Sequence, residues 1–164
     1  MSNAMSLNDQ IATAEKTLDR LLEWVTRHDN KTLIVLGVET ALLGVLVGSL
    51  PTPRTWTWWT TIVVLLALLS LCMSLACLFF GNLPQTKGPE GSLIYFRSIA
   101  KNTFDDYKKK FAGQSQQEYL EDLLAQCHRI SEIVTRKFQA LTWAYAFLVP
   151  GVIFWTFSLY LLGL

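Results

Sequence analysis

Three blocks of apolar residues, Leu33 to Leu50, Trp58 to Phe80 and Ala140 to Leu164, constrain this chain more than anything else in it. Each is close to the ~20 residues a helix needs to cross a hydrocarbon core of ~30 Å. Lipid offers the backbone no hydrogen-bond partners, so apolar blocks of this length read as transmembrane helices. A hydrophobic content of 51 % beside 16 % charged residues is likewise too apolar for an ordinary soluble domain of 164 residues. The expected fold is an all-α integral membrane protein, with three transmembrane helices and a cytoplasmic three-helix bundle.

The segments follow from the blocks. Residues 1–4, with Ser2-Asn3-Ala4 ahead of Met5, read as a remnant of expression. A cytoplasmic amphipathic helix is expected over 5–31, a first span over 32–50, an outer loop over 51–57 and a second span over 58–81. A cytoplasmic linker and helical hairpin follow over 82–139, then a third span over 140–164. The charged helical segment ahead of the first block argues against a signal peptide, whose basic region is short. Orientation comes from the basic residues, which are retained on the cytoplasmic side of spans. Four precede the first span (Lys16, Arg20, Arg27, Lys31), Arg54 alone lies between the first two, and nine lie between the second and third. The N-terminus and the long middle segment are therefore placed in the cytoplasm, and the C-terminus outside.

The cytoplasmic segments carry helical apolar stripes. Ile11, Ala14, Leu18, Leu21 and Val25 recur at helical spacing, and no Gly or Pro separates them from the first span, so the two can run on as one helix. Pro84, Gly88, Pro89 and Gly91 break the chain after the second span. A helix is expected from Ser92 through about Phe111, then a turn, then a third helix opened by a Ser115–Glu118 capping box. Leu120, Leu123, Cys127, Ile130, Val134 and Phe138 form its stripe, and it is expected to run into the last span until Pro150-Gly151. Three helices of similar length imply the bundle. Lys108 to Lys110 have the look of an anionic-lipid patch, but Asp105 and Asp106 offset them and they read as a solvated helix face.

Within the spans the small residues suggest close packing. Gly37, Gly44 and Gly48 fall on one side of the first span, and Gly44-x-x-x-Gly48 lets another helix approach, in the same chain or in another copy. Ala67, Ser70, Ser74 and Cys77 give the second span a similar face, and Trp56, Trp58, Trp59 and Tyr160 fit an outer aromatic belt. Glu39 stands out as a carboxylate six residues inside the first block, roughly 9 Å in at 1.5 Å per residue. At the same depth the other spans carry Ser74 and Tyr145, so a polar layer of Glu39, Ser74 and Tyr145 is expected. An ionised group there costs about 2.5–3.5 kcal/mol, so the acid should be neutral and hydrogen-bonded, or should line a water path or an oligomer interface.

Catalytic chemistry finds no foothold. There is no GxSxG, P-loop, CxxC or HExxH, and Glu121 and Asp122 are adjacent and so diverge on a helix. Cys72, Cys77 and Cys127 read as small packing residues, and His28 and His128 stand alone, so no metal site is assigned. The chain is expected to be no enzyme, to need no cofactor and to bind no nucleic acid. A ligand site has one weak signal: Gly91 and Ser92 before a helix, with Tyr95 and Phe96 able to stack on a base.

The stretches "WVTRHDNKTLIVLGVETALL", "GSLIYFRSIAKNTFDDYKKKF" and "YLEDLLAQCHRISEIVTRKFQALTWAYAFL" together resemble the transmembrane effector family of Pycsar, the bacterial pyrimidine cyclase system for anti-phage resistance. Asp29 and Lys31, the Leu93-Ile94-Tyr95-Phe96 run with Ile99-Ala100, and Gln126, Ser131, Lys137 and Phe138 carry the likeness. Arg97 after Tyr-Phe and Phe138 depart from the family's pattern. The resemblance implies a bacterial inner-membrane protein with a periplasmic C-terminus. It implies a partner nucleotide, 3′,5′-cyclic CMP or cyclic UMP, and a response that impairs the membrane and halts the infected cell. Under it, Ser92, Tyr95, Phe96 and Arg97 form one wall of a nucleotide pocket and Gln126, Ser131 and Lys137 face them. A homo-oligomer is expected, because three helices cannot enclose a sizeable pore. The alternatives are a constitutive small ion or proton channel, or accessory membrane subunit, using Glu39, and a membrane scaffold for a protein partner.

Overall fold

The computed structural model describes residues 5–50, 57–83 and 88–162. Residues 1–4, read as a remnant of expression, Arg54 and Trp56 of the expected outer loop, and Pro84 lie outside the described residues. Five helices follow in order: α1 (Leu7–Gly48), α2 (Trp58–Gly81), α3 (Phe96–Ile99), α4 (Phe104–Gly113) and α5 (Gln116–Leu162), with no strand among the described residues. Three of them, α1, α2 and α5, are long and apolar enough to cross a membrane. The chain divides into two compact units, residues 1–27 with 84–135, and residues 28–83 with 136–164.

In the first unit the N-terminal part of α1 pairs with the first part of α5. Ala14, Leu120 and Leu123 are buried together, with Ile11, Leu18, Ile94 and Tyr119 packed around them. Each fully buried Leu contributes about 1.5–3 kcal/mol. Tyr119 Oη donates to the Glu15 carboxylate at 2.8 Å, tying the pair at its edge. Ser115 accepts from the Glu118 amide at 3.2 Å while Glu118 takes the Ser115 amide at 2.7 Å, the reciprocal box that starts α5.

The expected helix from Ser92 to Phe111 is interrupted. Only Phe96–Ile99 is helical before the chain turns, and α4 starts afresh at Phe104. The cause is Thr103, whose hydroxyl accepts from the Asp106 amide at 3.2 Å and donates to its carboxylate at 2.7 Å. That cap gives the backbone a new helix start in place of continuation. The unit is therefore not three helices of equal length but a long pair with two short helices.

In the second unit α2 buries Thr60, Val64, Ala67, Leu71, Ser74 and Leu78. Their alternating four- and three-residue steps are the seam of helices packed side by side. Thr57 caps the start, accepting from the Thr60 amide at 3.4 Å. Val35, Leu78, Leu141 and Ala144 form an apolar layer to which all three long helices contribute.

The glycines divide against expectation. A Cβ on Gly37, Gly44 or Gly48 would meet nothing within 4 Å, so among the described residues no helix packs closely on these glycines. The close approaches are elsewhere: a Cβ on Gly81 would sit 2.3 Å from the Ala140 Cβ, and one on Gly151 would lie 3.0 Å from Leu71. Pro150-Gly151 does not end α5, which continues to Leu162. Pro150 has no amide hydrogen for the Ala146 carbonyl four residues back, yet its fixed φ is helical. Trp155 Nε1 donates to the Leu42 carbonyl at 2.9 Å, linking α5 to α1. Trp58, Trp59 and Tyr160 are all exposed, as an aromatic belt requires.

Candidate ligand cleft and intramembrane polar layer

The segment between Gly88 and Thr103 is irregular, yet side chains fix it at many points. Gly91 takes a φ of 75°, which a residue with a Cβ rarely adopts. Ser92 Oγ then accepts from the Ile94 and Tyr95 amides at 3.3 and 3.0 Å and from Gln126 Nε2 at 3.0 Å. Asp122 on α5 accepts from the Leu93 amide at 2.8 Å, and Tyr107 Oη of α4 donates to the Leu93 carbonyl at 3.2 Å. Ser98 Oγ reaches back to the Pro89 carbonyl at 3.0 Å.

Two clefts flank this segment, and charge separates them. One, of about 850 Å³, carries Lys109 and Lys110 against Glu90, Asp106, Glu118 and Asp122. The other, of about 720 Å³, carries Arg97, Lys101 and Lys110 against Glu90 alone, with Tyr95, Ser98 and Asn102 in its walls. An anion is favoured only in the second. Lys110 Nζ donates to Asn102 Oδ1 at 2.7 Å, which fixes its cation at the rim. The Tyr95 hydroxyl oxygen is buried and has no hydrogen-bond partner among the described residues. A Cβ on Gly88 would lie 2.3 Å from the Tyr95 ring, so only glycine lets the backbone cover that face.

The expected pocket residues separate accordingly. Tyr95 and Arg97 line the cationic cleft. Ser92 and Gln126 are buried, 4 % and 5 % exposed, and bonded to each other, so their polar groups hold the loop on α5. Phe96 is exposed, and Ser131 Oγ turns back along its own helix to the His128 carbonyl at 2.7 Å. Lys137 belongs to the other unit. Ser98, Lys101, Asn102 and Lys110 had no separate signal in the sequence. The Thr103-x-x-Asp106 cap was the legible sign, since it ends the segment at Asn102 and starts the helix that carries Lys110.

In the span unit, Glu39 and Ser74 are both fully buried, and the Ser74 hydroxyl bonds a Glu39 carboxyl oxygen. Ser74 Oγ also lies 2.8 Å from the Ala144 carbonyl, so α1, α2 and α5 meet at one point. Glu39 Oε2 has no hydrogen-bond partner among the described residues. Tyr145 is not in this layer: it follows Ala144 on α5, a helical step of about 100° away, and is 43 % exposed.

Over residues 13–163 the sequence matches the family described as PycTM, Pycsar effector protein domain. The chain belongs to that family. No curated protein and no solved structure matches it. As a Pycsar effector it serves anti-phage defence, and with three apolar helices of spanning length it is a membrane protein.

Two residues that carried the likeness meet in this Pycsar effector. Lys137 Nζ pairs with Asp29 at 2.5 Å. Beside them His28, 1 % exposed, stands with Nε2 2.9 Å from the Lys137 carbonyl and Nδ1 3.3 Å from Asp29, its ring edge-on to Phe138. His28 is therefore not alone, as its isolation in the sequence suggested. Burial acts to raise the Asp29 carboxyl, but the bonds and charges of Lys137 and His28 outweigh it and hold the group below its usual value of 3.8.

Proposed function

We propose that this Pycsar effector is activated by a 3′,5′-cyclic pyrimidine mononucleotide, cyclic CMP or cyclic UMP, and that it then impairs inner-membrane integrity and halts the infected cell. The observation that carries this reading is the cleft lined by Arg97, Lys101 and Lys110 together with Tyr95, Ser98 and Asn102. The cations offset the single charge of a phosphodiester. The Tyr95 hydroxyl and the Ser98 and Asn102 side chains supply hydrogen bonds of the kind a pyrimidine edge or a ribose needs. The effector acts without catalysis, by assembling as a homo-oligomer in the inner membrane, with its N-terminus cytoplasmic and its C-terminus periplasmic.

Thermal unfolding of the purified protein with cyclic CMP, cyclic UMP, cyclic AMP and cyclic GMP tests the reading. A ligand that binds only the folded state stabilises it by about 2.7 kcal/mol at one hundred times its dissociation constant. A pyrimidine nucleotide should raise the unfolding temperature while the purine nucleotides leave it in place. No shift with either pyrimidine nucleotide removes the assignment.

A further inference from the structure

Glu39, Ser74 and Ala144 come from three helices of one unit, and their hydrogen bonds do not balance with an ionised carboxyl. Ser74 Oγ is bonded to a Glu39 carboxyl oxygen and also stands 2.8 Å from the Ala144 carbonyl. A serine hydroxyl carries one proton, and a carbonyl can only accept. With the Ser74 proton on Ala144, an ionised Glu39 would face Ser74 as acceptor to acceptor, at 0 % exposure. The unpartnered Oε2 points the same way, since an unmet neutral oxygen costs less in a buried site than an unmet charged one.

We propose that Glu39 is a proton-binding site and that its proton closes a three-helix clasp, in which the Glu39 acid O–H donates to Ser74 Oγ and the Ser74 O–H donates to the Ala144 carbonyl. Removing the proton turns the Ser74 hydroxyl towards the carboxylate. The α1–α2 bond survives that change, and the α2–α5 bond is lost. One proton therefore decides whether α2 is hydrogen-bonded to α5 at this layer, while the Trp155 bond to the Leu42 carbonyl and the Asp29–Lys137 pair join α5 to α1 in either state. Among the described residues no charge from a neighbouring helix replaces it: α2 brings Ser74, Cys77 and Leu78 to this region, α5 brings Leu141, Ala144 and Leu148, and Tyr145 is exposed. His28, Asp29 and Lys137 are engaged with one another, with His28 eleven residues away on α1, about 16 Å. The inference stands apart from the nucleotide reading.

Infrared spectroscopy of the full chain in lipid vesicles at neutral pH, with glutamate side-chain carboxyls labelled with carbon-13, tests it. The expected result is a protonated-carboxyl stretch that shifts with the label and is absent from Glu39→Gln, whose amide N–H can still donate to Ser74. In Ser74→Ala the band should move to the higher frequency of an acid without a hydrogen-bond acceptor. Label-sensitive carboxylate bands with no acid band overturn the proposal, as does an acid band that persists in Glu39→Gln. Should Glu39→Gln fail to insert, the isotope shift in the unmutated chain and the displacement in Ser74→Ala decide alone.

Discussion

Asp29 and Lys137, 108 residues apart in the chain, hold their charged atoms 2.5 Å from each other beside the buried ring of His28. The Asp29 side chain is 44 % exposed, so solvent screens the pair and about 1 kcal/mol is a fitting size for it. A double-mutant cycle with Asp29→Asn and Lys137→Met, read by unfolding in micelles, should give a coupling of about 0.5–1 kcal/mol. Because the folded carboxyl titrates below the unfolded one, its stabilisation is present above about pH 4 and is lost as the pH falls through the folded value. Asp29→Asn should therefore weaken the protein near neutrality and flatten that part of its acid loss.

Gly81 and Gly44 should respond in opposite ways to the same change. A Cβ at Gly81 runs into Ala140, whereas one at Gly44 meets open space. Gly81→Val should destabilise the fold by about 1–3 kcal/mol through overpacking. Gly44→Val should leave unfolding within about 0.5 kcal/mol, as at other exposed positions, while cross-linking in vesicles reports whether copies use that face.

Thr103→Ala removes the cap of α4 and should cost about 1 kcal/mol, with Thr103→Ser close to neutral. The same change frees the start of the helix that positions Lys110. Isothermal titration should therefore show weaker nucleotide binding in Thr103→Ala than in Thr103→Ser.

Arg97→Glu or Lys101→Glu reverses a charge in the cationic cleft without touching either core cluster. Each should reduce affinity for the cyclic nucleotide at least tenfold, and Lys101→Glu should leave the ligand-free unfolding temperature nearly unchanged. An equal loss from Glu118→Lys, in the acidic cleft, would place the ligand elsewhere.

Ser92→Ala leaves the Gln126 amide buried without its acceptor, at a cost of about 1–3 kcal/mol. Adding Gln126→Leu should recover part of the loss, because replacing both partners removes the unmet donor. Unfolding of the two single variants and the double variant checks this.

What the sequence made legible follows the range of the forces involved. The apolar blocks, the Ser115–Glu118 box and the stripe of Leu120, Leu123 and Cys127 are local patterns, and the structure shows each where the chain spells it. Depth counting from the block edges paired Glu39 with Ser74 because helical rise is constant. Depth carries no azimuth, and so it equally suggested Tyr145, which points out. Glycines are read by spacing, yet only contacts distinguish Gly81, against Ala140, from Gly44, against nothing. The cationic cleft was the least legible part, because a threonine cap at residue 103 folds Lys110 back to Asn102 across a break that apolar spacing does not register.

Pro150 gives α5 a mechanical property of its own. Elsewhere in a membrane helix a bend must first break an amide bond that lipid tails cannot replace. At the Ala146 carbonyl that bond is already missing, and the adjoining Gly151 rests on Leu71 without a side chain to catch. The last dozen residues of α5 can therefore bend at this point without breaking a bond at the Ala146 carbonyl, held to α1 by the Trp155 indole on the Leu42 carbonyl, and it is there that a small force applied to this helix becomes a large displacement at its far end.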